Sequence, residues 1–212
     1  MRVVLLGFVC FMVFTLFSRE VKQGRFTSID FDVTVKVQDR VGVRMGSFLQ
    51  DGGGLASPVF SIIVVAILSL LSFKKLRFWM VLIPVAFALM TLAEMYGKSV
   101  VHHPAPPFFM LKNPTTVFPT YHVWEEFSYP SGHAARAVFL AIVLFSLTKK
   151  RLWVGIGLGI YVCLIALSRI YLGHHWLSDV IGGWLLGGGM GTLATGIDAP
   201  WATSYNRKAM ST

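Results

Sequence analysis

The 212-residue chain reads as an all-α protein, a bundle of six transmembrane helices whose scarce polar chemistry lies in loops on one face. Three observations predict this. Apolar residues make up 55% of the chain and charged residues only 14%, whereas a soluble domain carries about 25% charged residues. Six apolar stretches hold no charged residue: 3–18, 55–73, 78–93, 137–148, 152–168 and 180–197. Lys and Arg gather at the ends of these stretches, where membrane proteins use them for orientation. The composition excludes a disordered chain, a disulfide-stapled mini-protein and an ordinary soluble enzyme. The net charge of +9 does not point to nucleic acid, because the basic residues lie mostly at the ends of apolar runs.

Taken in order, residues 1–18 form a first transmembrane helix. The rival reading, a cleaved signal peptide, lacks a small-x-small cleavage pattern before Arg19. Residues 19–54 are read as an outer-face amphipathic segment lying at the interface, with apolar and polar residues alternating over 31–43. The glycine triplet at 52–54 is a natural break before the second helix. Residues 55–198 form a core of five further transmembrane helices. The fourth of the six stretches is the shortest and is lengthened at its start through 131–136, if that part lies at the interface. The last carries Gly182, Gly183, Gly187, Gly188, Gly189, Gly191 and Gly196, which suits close helix packing at the centre of the bundle; a glycine hinge is the competing reading. Residues 199–212 are a cytoplasmic tail. Cys10 and Cys163 both sit in apolar runs and form no disulfide framework.

Orientation follows from the basic residues. Arg2, Lys74, Lys75, Arg77, Lys149, Lys150, Arg151, Arg207 and Lys208 fall on one side, which the positive-inside rule makes cytoplasmic. Residues 19–51 resist this pattern: they fall outside yet carry Arg19, Lys22, Arg25, Lys36, Arg40 and Arg44, interspersed with five acidic residues.

All six histidines (His102, His103, His122, His133, His174 and His175) then lie on the outer face, in or beside the segments 97–130 and 169–176. Histidine serves as base, acid, nucleophile or metal ligand, so their concentration marks a site. Phe108, Phe109, Phe118 and Trp124 are read as anchoring the long loop at the lipid interface, and Glu125 and Glu126 as solvated.

Three segments give the site its chemistry. In Tyr129-Pro130-Ser131-Gly132-His133, Ser131 is a natural N-cap and the unhindered Gly132 leaves backbone N–H groups free to bind an anion. In Ser168-Arg169-x5-His175-x3-Asp179, Arg169 offers a planar fork for phosphate oxygens. If a helix begins near His175, Asp179 holds its imidazole and supports a nucleophilic or basic nitrogen. Lys98, four residues after Glu94, is spaced for an ion pair that aims its ammonium.

These segments resemble the three signature motifs of the type-2 phosphatidic acid phosphatase superfamily, K-x6-R-P, P-S-G-H and S-R-x5-H-x3-D. The likeness runs from about Lys98 to Gly183, and the second and third motifs match in full. The first departs from the pattern, with Ala105 where the family has Arg; His103 and Arg136 are the candidate replacements for that phosphate contact. The resemblance implies an integral membrane phosphatase for a lipid phosphate or diphosphate, working through a phosphohistidine on the outer face of a bacterial-type inner membrane. It implies that His175 attacks phosphorus, Asp179 orients His175, and His133 protonates the leaving oxygen. It further implies that Lys98, Ser131, Gly132 and Arg169 hold the phosphate, with no metal and no cofactor. The readings that stand beside it are a family member that binds lipid phosphates without turnover, a haloperoxidase holding vanadate in the same residues, and a histidine-based zinc-binding membrane protein.

Overall fold

The three-dimensional structure is a computed structural model describing residues 2–72, 77–112, 126–148 and 151–196. Expectations resting on Lys74, Lys75, Lys149, Lys150, Arg207, Lys208, His122, Phe118, Trp124, Glu125 and the tail from 199 lie outside the described residues, as do the side chains of Arg2, Arg77 and Arg151.

The described residues form helices α1 (Arg2–Lys22), α2 (Thr27–Arg40), α3 (Val43–Gly52), α4 (Pro58–Ser72), α5 (Arg77–Val101), α6 (Gly132–Leu147), α7 (Arg151–Tyr171) and α8 (Leu177–Gly196). Extended pairing among them is confined to one bridge, Pro104 with Phe127. Helix α1 runs past the expected end at residue 18, which puts Arg19 and Lys22 in its last turn, where the helix dipole favours positive charge. Lys22 there donates to the carbonyl of Val100 at 2.9 Å, joining α1 to the end of α5.

The alternation over 31–43 is overridden by helix. Asp30, Val33, Thr34 and Val37 recur at helical spacing and give α2 an inward face, with Val33 and Val37 packed against apolar residues of α7 and α8. The break expected at 52–54 is where α3 gives way to a 3₁₀ turn, Gly53–Ala56, before α4. Helix α6 begins at Gly132, so the shortest apolar stretch is indeed extended at its start.

Three segments, Val4–Lys22, Val81–Val101 and Leu152–Tyr171, are long and apolar enough to cross a membrane. The pair Val43–Ala56 and Pro58–Leu70, bent by 48°, makes a fourth if taken as one span, and Gly132–Leu147 is a shorter apolar helix. Their outer faces leave large apolar side chains uncovered, among them Phe8 and Met12 on α1, Ile62 on α4, and Trp153 and Ile160 on α7. Such contiguous apolar surface suits lipid contact.

Helix α8 is the centre of the packing, with α6 and α1 on its flanks and α5 beside them. Glycine makes this possible. A Cβ at Gly187 would fall 2.1 Å from the carbonyl oxygen of Ala135 on α6, so the two backbones meet with no side chain between them. Around this seam Ile83, Met90, Phe139, Leu140, Val143 and Leu186 are buried, and Phe87 meets Phe139 edge-on at 5.6 Å.

Gly187→Val must therefore force α6 from α8, an overpacking that costs about 1–3 kcal/mol. Its thermal unfolding midpoint in detergent is expected to fall by several degrees. Gly157→Val, on α7 where a Cβ meets nothing within 4 Å, is expected to leave the midpoint unchanged.

Candidate active site

Each side chain of the three sequence segments is positioned by a helix end. Ser131 is the N-cap of α6, its side chain accepting a long bond from the Ala134 N–H at 3.5 Å. The Ser131 N–H donates to the Asp179 carbonyl at 2.9 Å, which ties the start of α6 to the start of α8. Just before it, the ring of Tyr129 is buried and its hydroxyl bonds Ser18 of α1 at 2.8 Å.

The α7–α8 turn folds back on one carbonyl: the N–H groups of His174 and His175 both donate to the Arg169 oxygen, at 3.1 and 3.3 Å. From α2, Gln38 donates to the carbonyls of Met110 and Tyr171 and braces this turn against the long loop. That loop is closed at its base by the Ser128 N–H donating to the His103 carbonyl at 3.0 Å.

Helix α8 begins at Leu177, two residues after His175, so Asp179 lies in its first turn. Its Oδ2 accepts the Trp176 N–H at 2.8 Å, reaching back to cap the helix, and stands 3.6 Å from His175 Nδ1. Its Oδ1 meets His103 Nδ1 at 2.9 Å. Asp179 is fully buried, with the imidazoles of His103 and His175 beside it.

These elements surround a cavity of about 670 Å³. Glu94, Lys98, Gly132, His133, Arg136, His174 and His175 line it, together with the apolar Pro58, Ile62, Phe87 and Met95. Lys98 and Arg136 share one anion: Arg136 donates to Glu94 Oε2 at 3.0 Å, and Lys98 Nζ lies 3.8 Å from Glu94 Oε1. Arg136 is further fixed by a bond from Nε to the Ala56 carbonyl at 3.0 Å. The glutamate lies so close to the start of α6 that a Cβ at Gly132 would fall 1.9 Å from Glu94 Oε1, so a side chain there would displace the carboxylate.

Arg169 and His103, two of the expected phosphate contacts, are held by partners of their own. The Arg169 guanidinium donates to Ser168 Oγ at 2.9 Å and lies 3.4 Å from Nδ1 of His174, which lines the cavity, and its Nε is buried and without a hydrogen-bond partner among the described residues. His103 does not face the cavity as a phosphate contact. Its ring is drawn behind Asp179 by the two carboxylates there, Asp179 and Asp30. Ala105 does line the cavity, and of its two candidate replacements only Arg136 shares that wall. Ser131 and Asp179 lie behind the lining and act on it through the helix starts they fix.

Sequence reasoning missed Asp30, Ser178 and Gln38. The available signal was Asp30 on the apolar face of α2, three and seven residues before Val33 and Val37. It was hidden because the segment was read with a period of two. Among the described residues, no three His, Cys, Asp or Glu side chains are grouped so as to hold a metal ion.

Residues 79–200, more than half of the chain, match the sequence profile of the PAP2 superfamily. Undecaprenyl-diphosphatase of Sulfolobus acidocaldarius is 34% identical over 133 residues, covering 61% of this chain and 60% of that protein. Phosphatidylglycerophosphatase B of Bacillus subtilis is 39% identical over 71 residues, 30% of this chain and 35% of that protein. The matches thus span 60% or less of these two relatives' own length. Among solved structures, the first transmembrane PAP2-type phosphatidylglycerolphosphate phosphatase from Bacillus subtilis superposes with a TM-score of 0.75 at 22% identity. That superposition covers 91% of this chain and 95% of the other, a likeness of fold. With the motif residues gathered around one cavity, and with the profile matched over most of the helical core, the chain belongs to the PAP2 superfamily.

Proposed function

We propose that the protein is an integral membrane phosphatase that hydrolyses a lipid phosphate or diphosphate through a phosphohistidine intermediate. The observation that carries this reading is the lining of one cavity. His133 and His175 line it beside Lys98 and Arg136, and apolar residues of α4 and α5 line it too. A phosphate headgroup suits the first set of residues and an acyl or prenyl chain the second. The names of the relatives, an undecaprenyl-diphosphatase and a phosphatidylglycerophosphatase, accord with it.

In this reading the His175 Nδ1 edge faces Asp179, which leaves Nε2 to attack phosphorus. The N–P bond forms as the P–O bond to the lipid breaks, and His133 gives its proton to the departing oxygen. Water then attacks the phosphohistidine. His133 takes a proton from that water, the N–P bond breaks, and inorganic phosphate leaves with His175 restored. Lys98 and Arg136, aimed by Glu94, carry the charge of the non-bridging oxygens together with the N–H groups at the start of α6. Arg136 thereby supplies the guanidinium that Ala105 lacks, and Arg169, beside His174, adds a second.

Six spans complete the proposal: the four segments identified by length and apolarity, with α6 and the glycine-rich α8 as the inner pair. The active site then opens on the outer face of a bacterial-type inner membrane, opposite the basic residues of 74–77 and 149–151.

Phosphate release by purified protein from phosphatidic acid and from an isoprenyl diphosphate in mixed micelles tests the chemistry. His175→Ala is expected to abolish release, and His133→Ala to lower turnover by about 10²–10⁴-fold. Arg136→Ala is expected to act chiefly by raising KM. Release at the wild-type rate from His175→Ala contradicts the mechanism.

For orientation, a cysteine replacing Asn113 is expected to react with an impermeant thiol reagent applied from outside, and one replacing Lys150 to stay unlabelled until the membrane is opened. The reverse pattern inverts the topology.

A further inference from the structure

Behind the cavity, on the side away from bound substrate, lies a second carboxylate–imidazole couple that the three motifs do not include. His103 Nδ1 is 2.9 Å from Asp179 Oδ1, and its Nε2 is 3.9 Å from Asp30 Oδ2. Asp30 is itself locked to the residue preceding Asp179: its Oδ1 accepts the Ser178 N–H at 2.8 Å and its Oδ2 accepts the Ser178 hydroxyl at 2.7 Å. Asp30, His103, Ser178 and Asp179 are all at least nine-tenths buried. A polar cluster so deep persists only where its members satisfy one another. Asp30 stands in α2, outside the three motifs, and reaches in from there to the first turn of α8.

We propose that His103, braced by Asp30, is a positioning residue of the hydrolytic site: it holds the Asp179 carboxylate toward His175 and tunes the support that carboxylate gives. A carboxylate held at one oxygen can pivot. Here Oδ2 is held by the Trp176 N–H and Oδ1 by His103, so Asp179 presents a fixed edge to His175. A neutral His103 donates from Nδ1 and leaves the negative charge of Asp179 available to the His175 imidazole. A protonated His103 neutralises that charge and weakens the support. The ring also borders a second cavity of about 170 Å³, lined by Lys22, Thr27, Asp30, His102 and Trp176.

The charged and titratable groups facing His103 are Asp179 from α8, Asp30 from α2, Lys22 from α1 and the adjoining His102. Burial pushes the Asp30 carboxyl up, while its two bonds from Ser178 pull it back. On balance burial wins, so the Asp30 carboxyl takes up a proton at a higher pH than a free aspartate, which couples the brace to pH.

This inference rests on the reading of His175 as the nucleophile, and the experiment separates the two. The full chain, purified in detergent, is assayed against phosphatidic acid in mixed micelles from pH 5 to 9. His103→Ala is expected to lower kcat by about 30–100-fold, in the range of a mispositioned catalytic group, with KM within twofold of wild type. His103→Asn, which keeps a donor near the Nδ1 position, is expected to regain at least tenfold of that loss while its acidic limb differs from that of wild type. Asp30→Asn is expected to shift the acidic limb of the kcat profile with a smaller loss of rate. A His103→Ala enzyme with wild-type kcat and pH profile, alongside an inactive His175→Ala, overturns the proposal. Equal losses in His103→Ala and His103→Asn with an unmoved pH profile also overturn it, because they mark packing alone. An active His175→Ala overturns instead the reading on which the proposal rests.

Discussion

The buried carboxylate of Asp179 is the constraint on which the rest of the structure depends. Its main chain accepts the N–H that starts α6, and its side chain caps α8, faces His175 and binds His103. One residue thereby joins two helix starts, the α7–α8 turn and the end of the α5 loop. A buried ion left without its partner costs about 3–5 kcal/mol, so this arrangement survives only as a whole. The fold supplies what holds the charge there: two imidazoles, a backbone N–H and an apolar surround.

The helices are arranged to bring these ends together. Glycines on α8 let α6 and α1 press against its backbone, which sets the two helix starts side by side at one end of the bundle. Tyr129 then hangs from Ser18 of α1 and enters the segment that becomes the N-cap of α6. Glu94 completes the arrangement from α5, holding Arg136 and Lys98 at the cavity wall and lying against Gly132. A cationic pocket of this kind needs an anion within it to keep its charges in place while no substrate is bound, and Glu94 is placed to serve as that anion.

Much of this was legible in the sequence because local chemistry announced it. Ser131 before Gly132 marked a cap, the spacing of Glu94 and Lys98 marked an ion pair, and the glycines of the last stretch marked close packing; the structure has each of these. What escaped was whatever depended on contacts far apart in the chain. The period-two reading of 31–43 concealed the inward face of α2, and with it Asp30. By spacing, His103 is one of two candidates to replace the guanidinium missing at Ala105, yet two carboxylates from α2 and α8 hold its ring. The close approach of Gly53 to the Arg169 guanidinium is likewise a contact that no local spacing announces. In each case local spacing identified the residue type correctly, and a distant partner decided where its side chain went.

The central claim is that the phosphoryl group passes through His175. Rapid acid-free quenching of the enzyme during turnover of radiolabelled phosphatidic acid, followed by peptide mapping, tests it most directly. The account predicts a transient label on the peptide carrying His175, stable to alkali and lost in acid, that accumulates when hydrolysis is slowed and is absent from His175→Ala. Phosphate release at the full rate with no labelled protein at any quench time, or with the label on a peptide lacking His175, contradicts it.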